Sequence, residues 1–162
     1  MPLMALAACA WLAIIILTPL LPVPLAGLAY LAGSLICHQL PERSFHIGAA
    51  QLPVCARCVG IYAGVALSAG TLWGGPCRVV RLANLARLPL RTVTVVAAVP
   101  TAVTVALEWL GTWEPSNLAR AFSGVPLGAV VAFVVVDAMA KLHYEPCAPQ
   151  RPIAPRPPPT PI

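Results

Sequence analysis

The chain consists of long apolar segments separated by short polar ones. Residues 3–36 contain no charged side chain. As a single helix they would extend about 50 Å, well beyond a hydrocarbon core of about 30 Å. Three prolines within residues 19–24 interrupt this stretch, because proline lacks a backbone donor and clashes with the preceding turn. We therefore predict a first membrane span near 3–20 and a short re-entrant or interfacial helix near 24–37. A separate fifth span over this second segment is the alternative.

Three further apolar segments follow, and each is long enough to cross a bilayer. The second span is predicted from just after Cys58 to about Trp73, the third over 92–110 and the fourth over 118–139. Small residues recur every four positions in the second span and again in the fourth; they are Gly60, Gly64 and Ser68, then Gly124, Gly128 and Ala132. Such faces let helix backbones approach closely in lipid. We expect these two spans to run in the same direction and to pack against each other.

The composition agrees with a membrane location. Hydrophobic residues make up 59% of the chain and charged residues only 9%, whereas a soluble domain carries about 25% charged residues. The predicted fold class is all-α, a polytopic membrane helical bundle of four spans plus the short re-entrant or interfacial helix. We assign residues 1–144 to a single transmembrane domain. Residues 145–162 are proline-rich and are predicted to be a disordered tail.

The distribution of basic residues predicts how the chain crosses the membrane. With four spans, seven basic residues fall on the side of both termini and three on the other; they are Arg78, Arg81, Arg87, Arg91, Lys141, Arg151 and Arg156, against Arg43, Arg57 and Arg120. The positive-inside rule then predicts a plasma (inner) membrane protein with cytoplasmic termini. The only partner that the composition indicates is the lipid bilayer, since no basic-aromatic patch suggests nucleic-acid binding.

The candidate chemistry is concentrated in residues 37–62, which would face the extracytoplasmic side. This stretch contains Cys37, His38, His46 and the Cys55-x-x-Cys58 pair. Zinc in proteins takes four nitrogen or sulfur ligands in a tetrahedron. We expect a metal site, with zinc as the candidate ion, formed by the three cysteines and His46; His38 supports that set or exchanges roles with His46.

Two other interpretations of these residues stay open. Cys55 and Cys58 are also redox candidates, since a Cys-x-x-Cys pair at a helix start favours the thiolate and can form an exchangeable disulfide. The chain would then be a membrane thiol-disulfide oxidoreductase. Alternatively, the cysteines fix a loop in a non-enzymatic assembly or partner protein. Whether the chain is an enzyme is left open. Cys77 and Cys147 are predicted to face the reducing cytosol.

Other polar residues of the outward face are candidate site residues. Glu108, near the end of an apolar span, is a functional candidate by default and also a natural partner for Arg57 or Arg120. Asn117 and Arg120 either cap the fourth span or orient a substrate, and for Asn117 we expect the cap. Tyr62 lies one helical turn beyond Cys58, and either faces the site or lies at the membrane interface. The remaining candidates are Gln39, Arg43, Ser44 and Gln51.

These residues form motifs that resemble a known family. The motifs are Cys-His-Gln-x-x-x-Arg-Ser-Phe at 37–45, Gln-x-Pro-Val-Cys-Ala-Arg-Cys-x-Gly-x-Tyr at 51–62 and Ser-Asn-x-x-Arg at 116–120. They resemble a family of small prokaryotic predicted membrane proteins described as a domain of unknown function. The resemblance implies a multi-helix membrane protein with an acidic residue, here Glu108, closing the third span. It implies no reaction.

Overall fold

The computed structural model describes residues 2–71 and 89–143, and the chain is mostly helical in these two ranges. The described helices are α1 (Pro2–Leu17), α2 (Val23–Ser34), α3 (Ala56–Thr71), α4 (Leu90–Trp109) and α5 (Asn117–His143). Two strands, β1 (Ser44–Ile47) and β2 (Ala50–Cys55), lie between α2 and α3, and 3₁₀ turns cover Thr18–Leu20 and Pro41–Arg43. The predicted tail lies outside the described residues, as do Arg78, Arg81, Arg87, Cys77 and Cys147.

The prolines break the first apolar stretch as predicted. A 3₁₀ turn at Thr18–Leu20 follows α1, and Pro22 precedes the first residue of α2. The side chain of Thr18 is fully buried and donates a hydrogen bond to the carbonyl of Ile14 at 2.6 Å. This is the common bond from a threonine hydroxyl to the carbonyl one helical turn earlier, and it ties Thr18 to the last turn of α1. The stretch is therefore two helices, and α2 ends three residues before Cys37.

A β-hairpin replaces part of the predicted loop, which is a correction to the all-α fold class. β1 and β2 are antiparallel, with His46 opposite Gln51 and Ile47 opposite Ala50. Gly48 makes the turn with a φ of +63°, a conformation that costs glycine little. The signal in the sequence is a two-residue turn beginning with glycine between short strands. The hairpin brings the segment after α2 back to the first turn of α3.

The small-residue faces of α3 and α5 pack against each other, as predicted. A Cβ atom added to Gly60 would overlap the backbone of Ala121, and one added to Gly64 would overlap that of Val125. Gly128 of α5 lies equally close to the backbone of Ile61. Because residue numbers rise together along the two helices, α3 and α5 are parallel. Glycine at these positions lets the two backbones come into direct contact.

Two of the described helices are long and apolar enough to span a membrane by length and composition. These are Leu90–Trp109 and the part of α5 from Asn117 to Met139. The helices α1, α2 and α3 are apolar but shorter. Large side chains such as Leu25, Val96 and Phe122 are exposed on three different helices. Exposed large apolar side chains on several helices are typical of a protein that contacts lipid or another apolar partner.

Candidate functional site

Three cysteines meet where the hairpin enters α3. The sulfur atoms of Cys37, Cys55 and Cys58 all lie within 4.8 Å of one another, and the Sγ atoms of Cys55 and Cys58 are 3.5 Å apart. Cys37 is buried, while the other two are partly exposed. All three are free thiols. The sequence prediction that Cys37 joins the Cys-x-x-Cys pair is consistent with this geometry.

Backbone amides stabilise the sulfur of Cys37. The amide of Cys55 donates to Cys37 Sγ at 3.1 Å and the amide of Gln39 donates at 3.5 Å. These two bonds fix the sulfur atom relative to the hairpin. Cys37 also packs against Ile15 and Val54, so that α1 and β2 fix its position.

Gln39 holds the segment that carries Cys37 against the hairpin. Its Nε2 donates to the carbonyls of Tyr30 and Pro53, each at 2.7 Å, and its own carbonyl accepts from Gln51 Nε2 at 3.2 Å. The backbone of Gln39 has a φ of +52°, an uncommon conformation for a residue with a side chain. Gly33 is needed beside it, since a Cβ there would overlap the Pro53 carbonyl. Gln39 and Gln51 are thus positioning residues for the cysteines.

The Cys55 thiol has a lower pKa than an ordinary cysteine. Its hydrogen bond with Cys58 lowers its pKa to about 5, although partial burial acts in the opposite direction. The Cys37 side chain and backbone hydrogen bonds add to the lowering. Cys55 is therefore a thiolate at neutral pH, as both metal binding and thiol exchange require.

The two histidines do not join the cysteine cluster in the described part of the chain. The candidate metal group there consists of the three cysteines, and His38 and His46 are both exposed. Tyr62 packs against the same core as Cys37. Its ring meets Trp11 of α1 edge-on at a centroid distance of 6.2 Å. Tyr62 therefore belongs to the apolar core that also contains Cys37.

A second polar cluster surrounds Glu108 near the end of α4. Oε2 of Glu108 accepts from Arg57 Nη2 at 3.1 Å, and Oε1 accepts from Arg120 Nη2 at 2.9 Å. Nε of Arg43 also donates to Oε1, at 3.1 Å. The predicted pairing of Glu108 with Arg57 or Arg120 is confirmed for both, and Arg43 is an additional partner. One carboxylate thus joins the 3₁₀ turn before the hairpin to α3, α4 and α5.

Asn117 has a different role from the predicted helix cap. The Ser116 hydroxyl caps α5 instead, accepting from the amide of Ala119 at 3.2 Å. Asn117 Nδ2 donates to the carbonyl of Ser44 at 3.0 Å, and its Oδ1 accepts from Arg120 Nη1 at 3.0 Å. Ser44 is fully buried. Asn117 is the first residue of α5. The residue before it, Ser116, therefore occupies the position whose side chain caps the free amides of the first turn.

Two further polar residues, Thr104 and Ser123, were missed by the sequence analysis. Thr104 Oγ1 accepts from Arg57 Nη2 at 3.5 Å and lies 3.3 Å from Ser123 Oγ. Both are buried. The sequence could have identified Thr104, because it precedes Glu108 by four residues and therefore lies on the same face of the helix.

Arg57 and Cys58 bring the two clusters together at one end of the molecule. Both residues lie in the first turn of α3. Cys58 faces the core formed by Ile15, Cys37 and Val54, whereas Arg57 reaches Glu108 on α4. The first turn of α3 therefore contributes one residue to the sulfur site and one to the ionic site.

Comparisons with known proteins show a similarity to predicted membrane proteins. The family model described as Predicted membrane protein (DUF2085) matches residues 37–134. "Uncharacterized protein MJ1492" of Methanocaldococcus jannaschii is 31% identical over 116 residues, covering 72% of this chain and 71% of that protein. An uncharacterized protein of Methanothermobacter thermautotrophicus is 31% identical over 97 residues, which are 60% of this chain and 81% of its own length. No solved structure matches the chain.

Proposed function

Since the chain belongs to the DUF2085 family of predicted membrane proteins, we propose that it is an integral membrane protein that binds one thiophilic metal ion, zinc being the candidate, through Cys37, Cys55 and Cys58. The observation that carries the proposal is the approach of three sulfur atoms to within 4.8 Å of one another. Zinc–sulfur bonds of about 2.3 Å in a tetrahedron put sulfur atoms about 3.8 Å apart. The separation of 3.5 Å between Cys55 and Cys58 is close to that value.

Three protein ligands leave one tetrahedral position for water or a substrate, as in catalytic zinc sites. The exposure of His38 and His46 supports a ligand set of three cysteines over the set with a histidine that the sequence suggested. The His38→Ala and His46→Ala variants should therefore keep their metal. Loss of zinc in His46→Ala alone would instead identify His46 as the fourth ligand.

Elemental analysis of the detergent-purified chain tests the metal proposal. We expect about one zinc per chain, and none in the Cys55→Ser/Cys58→Ser variant. Cys9→Ser is the matched control, because Cys9 is an exposed free thiol on α1 and does not belong to the group of three close sulfur atoms. Absence of metal from the unaltered chain, even after zinc is supplied during expression, would overturn the proposal.

Thiol-disulfide exchange is a second candidate function, favoured by the lowered pKa of Cys55 and its 3.5 Å approach to Cys58. In this reaction the two thiols become a disulfide while the disulfide of a partner protein becomes two thiols. The two protons and two electrons pass to that partner. Mass analysis after equilibration in glutathione buffers would detect a Cys55–Cys58 disulfide. A pair that stays reduced across the redox range of the extracytoplasmic space would exclude this reaction.

The membrane arrangement belongs to the same proposal. α1, α3, α4 and α5 are the four proposed spans, α2 is the short interfacial or re-entrant helix, and both clusters face the extracytoplasmic side of the plasma membrane. The parallel contact of α3 with α5 supports α3 as a span, because α5 is long and apolar enough to cross. If α3 and α5 both span the membrane in the same direction, the chain must cross back between them, and α4 is the proposed return span.

A further inference from the structure

The three sulfur atoms of the sulfur site differ in their access to solvent. Cys55 and Cys58 are partly exposed, whereas Cys37 is buried and belongs to the same apolar core as Ile15 and Val54. A dissolved reagent therefore meets Cys55 and Cys58 before it meets Cys37. The site thus consists of one accessible pair and one protected thiol.

The accessible pair is close enough to form a bond. The Sγ atoms of Cys55 and Cys58 are 3.5 Å apart, and a disulfide bond is about 2.0 Å long. Cys55 is the last residue of β2, and Cys58 lies in the first turn of α3. The backbone of Cys55 is therefore outside the helix. Rotation of the two side chains needs to bring the sulfur atoms only about 1.5 Å closer.

Cys37 is held in place by contacts that do not involve the other two sulfur atoms. The backbone amides of Cys55 and Gln39 donate to its Sγ atom, and its core neighbours include Ile15 on α1. Formation of a Cys55–Cys58 bond would therefore leave Cys37 behind as a single thiol.

A single thiol does not replace the set of three ligands. Zinc binds cysteine as the thiolate, and a disulfide sulfur atom carries no such charge. A Cys55–Cys58 disulfide would therefore remove two of the three sulfur ligands at once. His38 and His46 are exposed, and neither belongs to the group of close ligand atoms in the described part of the chain. They are not in place to compensate for this loss.

We infer that bound zinc and a Cys55–Cys58 disulfide are mutually exclusive states of one site, so that oxidation by a disulfide releases the metal and reduction restores the site. This inference rests on the metal binding proposed above. It goes beyond that proposal because it makes the two candidate chemistries of the cysteines the two positions of a redox switch. The oxidant is a disulfide, either of a small molecule such as glutathione or of a protein.

The exchange balances in electrons and protons. The thiolates of Cys55 and Cys58 lose two electrons and become joined by a new S–S bond, while the S–S bond of glutathione disulfide accepts those electrons and breaks. Two glutathione thiolates are formed, and they take protons from the solvent at neutral pH. The zinc ion leaves without a change of oxidation state, and the Cys37 thiolate is then free to be protonated.

A redox titration of the full-length detergent-solubilised protein at several free zinc concentrations tests the inference. Alkylation of free thiols followed by peptide mass analysis gives the fraction of Cys55–Cys58 disulfide in glutathione buffers, and a metal buffer sets the free zinc. Because only the reduced form binds zinc, each tenfold rise in free zinc above its Kd should raise tenfold the ratio of glutathione disulfide to squared glutathione at the midpoint. One zinc ion should be released for each disulfide formed.

Two variants locate the coupling at the sulfur site. Cys37→Ser keeps the accessible pair but removes one ligand, so the midpoint shift at a fixed free zinc concentration should shrink about tenfold or more. Cys9→Ser is the matched control and should keep the full shift, because Cys9 is a free thiol outside the group of three close sulfur atoms. The zinc dependence of the unaltered chain needs no variant, so the test survives if Cys37→Ser does not fold.

Three outcomes would contradict the inference. If the reduced chain binds zinc but the midpoint does not depend on the zinc concentration, the coupling is absent. A disulfide that includes Cys37 would contradict its assignment as the protected thiol. If the reduced chain binds no zinc, the metal proposal itself fails. Zinc content, measured on the reduced chain before the titration, distinguishes this last outcome from the other two.

Discussion

Glu108 is the residue on which the ionic cluster depends. It joins Arg43, Arg57 and Arg120, which come from three different elements, and its side chain is 6% exposed. An uncharged amide in its place would leave three guanidinium groups close together without a carboxylate. Repulsion and lost hydrogen bonds would then act together.

We therefore predict that Glu108→Gln destabilises the folded protein by about 3 kcal/mol, the lower end of the cost of breaking a buried ion pair. Reversible unfolding in a mixed detergent titration measures the change. Glu114→Gln is the matched control and should alter stability by less than about 0.5 kcal/mol, because Glu114 is exposed. Equal stability of the two variants would show that the ion pairs contribute little.

Cys55 provides a second prediction at the scale of one residue. Its lowered pKa means that the thiolate is present above about pH 5 and is lost as the pH falls through that value. Metal-free protein should therefore be alkylated at Cys55 at pH 6, where an ordinary cysteine reacts slowly. The Cys58→Ala variant removes the hydrogen bond that lowers the pKa of Cys55. In this variant, alkylation of Cys55 should therefore require a higher pH.

Iodoacetamide labelling followed by peptide mass analysis measures this pH dependence. The unaltered chain is expected to reach half its maximal Cys55 labelling rate near pH 5, and the variant at least one pH unit higher. Superimposable pH profiles for the two proteins would disprove the role of Cys58.

At the scale of whole elements, the contact between α3 and α5 organises the described part of the chain. Gly60 and Gly64 meet the backbone of α5, and Gly128 meets that of α3. The first turns of both helices are thereby fixed side by side. Arg57 and Arg120, which lie in those turns, reach the same carboxylate for this reason.

Adding one methyl group to this interface should separate the helices. We predict that Gly128→Ala lowers stability by about 1–3 kcal/mol, as overpacking of a close contact does, because the new Cβ would overlap the backbone of Ile61. Gly27→Ala in α2 is the control, since a Cβ there meets no atom within 4 Å, and alanine favours a helix. Thermal unfolding in detergent should thus lower the midpoint for the first variant and leave it unchanged or raised for the second.

The sequence predicted the helices better than the segment between them. Continuous apolar runs and prolines locate α1, α2 and α4 because lipid-facing helices need little beyond length and hydrophobicity. The hairpin was missed because strands of four and six residues have too short a pattern to stand out. For the site, the pairing of Glu108 followed from its charge in an apolar span. The exposed position of His46 depends on the register of the hairpin, which spacing alone does not reveal.

At the scale of the whole molecule, both clusters lie at the same end of the bundle. The proposed orientation places that end outside the plasma membrane, with the start of α4 on the cytoplasmic side. The unequal distribution of basic residues across the two sides supports this orientation. Arg91 lies near the start of α4 and Glu114 lies just beyond its end, and both are exposed. They are therefore suitable positions for labels that report the orientation of α4.

Labelling of intact cells with a membrane-impermeant maleimide should distinguish the two ends. Glu114→Cys is expected to add a label from outside. Arg91→Cys should add one only after the membrane is permeabilised, with the unaltered chain as the baseline for its native cysteines. The reverse pattern would invert the orientation, and external labelling of both would contradict α4 as a span.

The ionic cluster also imposes an order on biosynthesis. Arg57 and its partner Glu108 are separated by 51 residues, and Arg120 follows Glu108 by a further 12. Arg43 and Arg57 are therefore both synthesised before the carboxylate that they bind. The complete set of ion pairs can form only after Arg120 of α5 has been added. A chain that ended before Glu108 would leave both earlier arginines without this partner, whereas one that ended between Glu108 and Arg120 would lack only the third ion pair.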